Sequence, residues 1–439
     1  MSGDSQPPVA DIRADLLAIY QAGLEAVDGH DTVNRYLNHN RPSGPVAVVA
    51  IGKAASAMVT GASEALGEQL GKGLVITKTG HLGLALQTDP RFVCRETGHP
   101  VPDAASLAAG QILLRFLQEL PEGVELLVLL SGGTSSLVEV LPEAVDLEQL
   151  QALNRWLLAS GLPVQAINRV RSAVSCIKGG RLAQWLDSRP ATVLLVSDVA
   201  GDDLAAIGSG LLYAAPAGPP DTSQLPGWVV TMIKACHNEP APVSNPPGIE
   251  HHVVARLDDA LAAARRHARS IGYTASVVTA ELSGDALQAG QEIVATLADK
   301  PAGVWLWGGE TTVELPPVAG QGGRCQSLAL SAACVLAGQE HILLLAAGTD
   351  GSDGPGTAAG ALVDGETLAR GTASGLDAAH CLQQADAGSF LEASGDLVIT
   401  GPTGTNVTDL VIAIKTASVW QEHRRHRPAA ERFPGQRTG

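Results

Sequence analysis

Short apolar runs alternate along the chain with stretches whose apolar residues recur every three or four positions. Leu16, Leu17, Tyr20, Leu24 and Val27 have that spacing and predict helices over residues 11–40. Val46–Ile51 is unbroken apolar and predicts a buried strand, with a helix over Ala54–Leu66 behind it. Leu74–Thr77, Glu125–Leu130 and Thr192–Val196 read as further strands. Pro102 and Asp103 are start signals for a helix over Ala104–Leu120. Beyond them come strands at His252–Ala255, Ala275–Val278, Val304–Trp307, Ile342–Ala346, Leu397–Ile399 and Leu410–Ile414. Helices are predicted at Leu257–Ile271, Asp285–Leu297 and Gln326–Leu336. Fully apolar strands separated by helices imply mostly parallel sheets covered on both faces. The expected fold is α/β: two α/β domains with mostly parallel sheets, the N-terminal one Rossmann-like, and a ligand cleft between them.

Prolines and glycines concentrate at Ala215–Pro220 and Glu239–Gly248, which places the expected boundary there. The division is 1–240 for the N-terminal domain and 241–420 for the C-terminal one. Residues 421–439 hold five arginines and two glutamates and read as a solvated basic tail.

Charge removes one class of function. The chain of 439 residues has a net charge of −16, which argues against nucleic acid as the main partner. Val124–Leu130 and Ile342–Ala347 are among the longest apolar runs, far short of the roughly 20 residues of a membrane span. The first ten residues lack a basic and an apolar region, so no signal peptide is expected. Six scattered cysteines form no CxxC, and a reducing cytoplasm fits them.

The informative residues are polar clusters directly after strands, where ligands of open α/β sheets bind. Gly52-Lys53-Ala54 places one of only seven lysines at a strand-to-helix turn, a phosphate contact or a solvated turn lysine. Ser131-Gly132-Gly133-Thr134-Ser135-Ser136 combines adjacent glycines with hydroxyls, as an anion loop does; a plain tight turn is the alternative. Asp198, Asp202 and Asp203 follow a strand, and clustered carboxylates suit Mg²⁺ or cap a helix. Gly308-Gly309-Glu310 follows another strand, and Arg324 ends a glycine loop at a helix start, a bidentate anion contact or a surface arginine. Thr349, Asp350 and Asp353 lie in a glycine turn suited to a cation or sugar hydroxyls, and Asn406 lies in a further polar loop. His99, between glycine and proline, is a base, a phosphate donor or a structural residue. Arg169, Arg171, Lys178 and Arg181 add positive charge within one segment, which on an acidic chain points to an anionic substrate.

Taken in order, GKA (52–54), GHPVPD (98–103), SGGTSS (131–136), NRVR…KGGRLA (168–183), SDVAGDD (197–203), GGETTV (308–313), GQGGR (320–324), TDGSDGP (349–355) and TGPTGTNVTDL (400–410) resemble the glycerate 2-kinases of the MOFRL type. The resemblance runs from about residue 12 to 416. It implies ATP- and Mg²⁺-dependent phosphorylation of D-glycerate to 2-phosphoglycerate in an interdomain cleft. Lys53 and Arg324 correspond to the family's lysine and arginine. On this reading they meet the transferring phosphoryl group or the glycerate carboxylate. Asp198 is the base or a metal ligand, and Ser131, Gly132, Gly133, Thr134 and Ser135 cradle phosphate. Gly308, Gly309, Glu310, Thr349, Asp350 and Asn406 are expected at the nucleotide, and Asp198, Asp350 and Asp353 at the metal. The chain departs from the family pattern at Cys325-Gln326-Ser327, where Asn-Gln-Glu is usual, and at Leu211, where proline is usual. Three alternatives stand beside this reading: a kinase of a related hydroxy acid, a non-catalytic sensor, and a hydroxypyruvate reductase. The last needs a dinucleotide site, and GxGxxG occurs nowhere. A homo-oligomer is compatible with the chain, and no sequence feature fixes the oligomeric state.

Overall fold

A computed structural model of the chain describes residues 12–214, 218–236 and 248–417. The basic stretch 421–439 lies outside the described residues. Two six-stranded sheets form the frame. The first has strands β1 (Val46–Ile51), β2 (Leu70–Lys78), β3 (Phe92–Thr97), β4 (Glu125–Leu130), β5 (Ala191–Val196) and β6 (Ile249–Ala255) in the order β3-β2-β1-β4-β5-β6. Every pairing in it is parallel. This is the Rossmann order.

The apolar run of β1 explains why it is central. Successive side chains of a strand point to opposite faces. Val48 and Ala50 pack with Met58, Val59 and Ala62 of helix Ala55–Leu66. Ala47, Val49 and Ile51 pack with Ala109, Leu113 and Leu117 of helix Ala104–Gln118. That helix starts where predicted: Asp103 accepts from the Ser106 N–H at 2.9 Å, and the Ser106 hydroxyl accepts from the Asp103 N–H at 3.1 Å. Strand β3 escaped the sequence reading because it is an edge strand carrying exposed Arg95 and Glu96.

The second sheet has β7 (Ala275–Val277), β8 (Gly303–Gly309), β9 (Ile342–Gly348), β10 (Gly360–Val363), β11 (Leu397–Val398) and β12 (Asp409–Lys415), ordered β11-β10-β9-β12-β8-β7. Mostly parallel pairing was expected here as well, and this sheet is mixed. Only β7 and β8 pair in parallel, joined by helix Ala286–Ala298. The other pairings are antiparallel. A parallel return needs a crossover of a dozen or more residues, usually helical. Between β9 and β10 there is only a loop, so β10 returns antiparallel.

One face of this sheet carries Leu345, Leu410 and Ile412 and shares a continuous core with Val48 and Ala50 of the first sheet. The other face packs Leu344, Val411 and Ala413 against helices Ala286–Ala298 and Arg324–Leu336. The chain crosses the boundary expected at residue 240 twice. Strand β6, beyond it, completes the first sheet. Helix Ile12–Ala26, before it, lies on the second: its Tyr20 hydroxyl donates to the Gly348 carbonyl at 2.6 Å, and Arg13 pairs with Asp364 and Asp396. Helices Leu147–Ala159, Val164–Ala173 and Gly227–Ala235 form a separate small apolar cluster, a cap beside the first sheet. No helix among the described residues is long and apolar enough to cross a membrane.

Candidate active site

In the first sheet all strands run the same way, so the loops after β1, β4 and β5 emerge on one edge. In the second, β12 runs against β8 and β9, and its first residue, Asp409, sits opposite Gly309 and Gly348. The strand ends before Glu310 and Thr349 and the strand start after Asn406 therefore share one edge. The two edges face each other across a cavity of about 890 Å³. Lys53, Lys78, His99, Gly133–Ser136, Arg171, Asp198, Glu310, Arg324, Asp350, Asp353 and Asn406 are among its lining residues.

The loops after β1 and β4 are laced together. The Lys53 N–H donates to the Gly132 carbonyl at 2.9 Å, and the Ala54 N–H to the Ser131 hydroxyl at 3.0 Å. The Thr134 hydroxyl donates to the carbonyls of Ile51 and Ser131. Gly52 has φ +134°, a conformation that strains other residues, and a Cβ there would collide with Ser131. At Gly132 a Cβ would collide with Asn406 and Asp198. These glycines let backbone and polar side chains close up where larger residues would hold them apart.

Contacts then cross the cleft. Lys53 Nζ meets Asp350 Oδ2 at 2.5 Å, and Asn406 Nδ2 donates to Asp198 Oδ2 at 3.1 Å. Asp350 also accepts from the Ser352 N–H and hydroxyl. Burial pushes the Asp350 carboxyl up, but the Lys53 ammonium and the bonds from Lys53 and Ser352 outweigh it and hold it below the usual range. For Asp198 burial wins: its pKa is raised, although Lys53 pulls the other way. Arg324 is gripped by Asp409 through Nε at 2.5 Å and Nη2 at 2.9 Å, and by Glu310 at 2.6 Å. Burial works against its charge, but Asp409 and Glu310 more than compensate and raise the guanidinium pKa. His99 accepts from or donates to the Ser136 hydroxyl at 2.8 Å. Burial, then Lys53 and Lys78, push its imidazole down to about 3, so it stays neutral.

Several residues singled out in the sequence do not reach the cavity wall. Ser131 and Thr349 are fully buried with hydroxyls spent on backbone, Gly132 and Gly309 are not among the lining residues, and Gly308 lines a separate pocket of about 380 Å³ that shares Asp198 and Val199 with the cavity. Asp353 lines the cavity, but its carboxylate accepts from the Cys325 and Gln326 N–H groups and from the Gln326 side chain. It satisfies orphan donors at the start of helix Arg324–Leu336, a structural task. The expected metal trio Asp198, Asp350 and Asp353 does not converge. Among the described residues the one trio with ligand atoms within 4.8 Å of one another is Asp28, His30 and Asp31, elsewhere on the surface. Lys78, the last residue of β2, went unnoticed because a lysine closing a strand carries no motif; it lines the cavity, with Ser352 Oγ 3.5 Å from its ammonium. Asp409 lies in the polar loop motif at 400–410 but has no assigned role in the sequence, since it lies 85 positions from the arginine it holds.

A cleft with a hydroxyl-rich glycine loop and unlike charges facing across it is the site of an enzyme that handles small anions. The chain belongs to the glycerate 2-kinase family with a C-terminal MOFRL unit. Residues 15–226 match the family described as domain of unknown function DUF4147, and residues 303–409 match the MOFRL family. The chain is 39% identical to the D-glycerate 2-kinase of Thermotoga maritima, over 84% of this chain and 90% of that one. It is 34% identical to the glycerate 2-kinase of Pyrococcus horikoshii, over 85% and 88%. The crystal structure of Thermotoga maritima glycerate kinase superimposes with a TM-score of 0.76 at 35% identity, covering 92% of this chain and 99% of that one.

Proposed function

We propose that this protein transfers the γ-phosphoryl group of ATP to the 2-hydroxyl of D-glycerate, giving 2-phospho-D-glycerate and ADP, in the cleft between its two sheets. The observation that carries the reading is the bridge from Lys53 on the first sheet to Asp350 on the second. Catalysis of phosphoryl transfer is mostly positioning and charge balance, and this bridge brings a cation and a carboxylate to one point. In the reaction the glycerate 2-oxygen bonds to the γ-phosphorus. The bond from that phosphorus to the bridging oxygen breaks, with its electron pair leaving on ADP. The hydroxyl proton passes to a carboxylate oxygen of Asp198, whose raised pKa improves it as an acceptor near neutrality. Lys53 and Arg324 balance charge on the transferring group. The N–H groups of Gly133, Thr134 and Ser135 hold phosphate oxygens.

The carboxylates on the cavity wall, Asp198 and Asp350, fit Mg²⁺, an ion usually held by one or two carboxylates together with substrate phosphates. Asp350 is the carboxylate assigned to it. When bound, the ion supplies neutralisation of the triphosphate's charge. The six cysteines are all free thiols, in keeping with a cytoplasmic setting.

The test is a coupled assay with D-glycerate, ATP and Mg²⁺, reading ADP, with the product passed to enolase. ADP release with immediate enolase turnover is the expected result. Product needing a mutase first would move the reaction to the 3-hydroxyl. No ADP release, with NADH oxidised by hydroxypyruvate, would replace the kinase reading by the reductase one.

A further inference from the structure

Four cations line the main cavity: Lys53, Lys78, Arg171 and Arg324. Three have a polar partner there. Lys53 is bound to Asp350, Arg324 to Asp409 and Glu310, and Lys78 lies beside Ser352. Arg171 differs. Among the described residues it forms no ion pair, and its buried Nε has no hydrogen-bond partner. Glu139 is the carboxylate whose charge reaches it, but Glu139 is already committed to Lys178, Ser175 and the Val140 N–H. An uncompensated guanidinium on a cavity wall is costly unless an anion arrives to meet it.

Its position is built. Arg171 rides on helix Val164–Ala173 of the cap. One turn earlier, Asn168 donates to the Ala206 carbonyl at 3.1 Å and accepts from the Ser209 hydroxyl at 2.9 Å. Ser209 in turn shares a 2.7 Å hydrogen bond with Ser135 of the glycine-hydroxyl loop. The helix carrying Arg171 is thereby tied to the anion loop. Leu158 and Val164, apolar residues of the same cap, also line the cavity and lower the water content around any pair formed there.

We propose that Arg171 is the receptor for the acceptor substrate's carboxylate, so that the cap selects an α-hydroxy acid over an uncharged polyol. The inference rests on the kinase reading above and deepens it. The triphosphate already has the loop's donors, Lys53 and Lys78. The planar fork of a single free guanidinium matches the two oxygens of one carboxylate.

The experiment measures KM for D-glycerate and for ATP, with glycerol as an uncharged acceptor, in the full chain and in R171A, R171Q and R171K. Loss of a bidentate charged pair is expected to raise the glycerate KM of R171A roughly 10- to 100-fold. The ATP KM should stay within about twofold, and R171K should recover part of the loss, since it keeps the charge but not the fork. Preference for glycerate over glycerol should fall with the glycerate KM. Thermal stability should hold, because no partner is lost; a falling melting temperature with unchanged KM values would mean a structural role and overturn the proposal. An ATP KM that rises in place of the glycerate KM would assign the guanidinium to phosphate and overturn it too. Wild-type protein that turns over no glycerate sinks the kinase reading itself, and the proposal with it.

Discussion

The two sheets deliver polar residues to the same cavity but hold them differently. The parallel sheet offers loops laced together through backbone and hydroxyls, leaving N–H groups at Gly133–Ser135 and two cations, Lys78 and Arg171 on the cap, open to the cavity. The mixed sheet offers charges that are already engaged: Arg324 between Asp409 and Glu310, and Asp353 on a helix start. The difference follows from how each edge is made. Parallel strands end in turns into helices, where free N–H groups collect and anions are welcome. In the mixed sheet an incoming strand brings Asp409 to the edge beside two outgoing ones, and the carboxylate needs a partner before any ligand arrives. One half is a receptor for anions and the other a set of fixed counter-charges.

That contrast can be broken residue by residue. Lys53→Ala should have the largest effect, lowering kcat/KM about 10³-fold in the coupled assay in a protein that still folds, with a lower melting temperature because Asp350 loses its partner. Near-normal turnover would remove Lys53 from the mechanism. Lys178→Met tests the exception in the first half, a locked pair whose side chains are 2% and 1% exposed. Stranding Glu139 should cost about 3–5 kcal/mol in chemical denaturation, and adding Glu139→Gln should restore most of it. Arg324→Gln strands Asp409 in the mixed sheet. With a third of the arginine exposed, the expected loss of stability is smaller, about 2 kcal/mol, accompanied by loss of activity. If Arg324→Gln lost activity alone, the locked-charge description of that sheet would be wrong.

The smallest effect is a pH dependence. His99 titrates near 6.5 unfolded and about 3 folded. The unfolded chain therefore binds its proton first on acidification. The stability from the neutral folded imidazole is present above about pH 6.5 and is lost as the pH falls toward 3. His99→Gln should reduce the stability gap between pH 7 and pH 5 by about 2 kcal/mol. An unchanged gap would show that the imidazole is not held neutral.

Much of the parallel half is legible from the chain alone, because Val46–Ile51 and Glu125–Leu130 are unbroken apolar runs and polar glycine loops follow them directly. Lys53 and Arg324 stand out by composition and position. The pairing of the mixed sheet is not legible. Direction is decided by where β12 inserts, and nothing within Asp409–Lys415 distinguishes the two directions. Metal-type spacing misled at Asp353, since a carboxylate that satisfies helix N–H groups reads the same in one dimension as a free ligand. Lys78 and Asp409 acquire their place only through contacts made by distant segments.

Helix Ile12–Ala26 has a consequence for the order of events during synthesis. It leaves the ribosome long before the strands it covers, Ile342–Gly348 and Asp409–Lys415. Its buried face, with Leu16, Ile19, Tyr20 and Leu24, packs against helix Leu257–Ser270 as well as these strands, so until that helix is made it has nothing to lie on. The Rossmann sheet can form before it docks, whereas its contacts with the second sheet are complete only once strand Asp409–Lys415 is made. A nascent chain halted before residue 257 should thus present a naked apolar helix to chaperones and proteases.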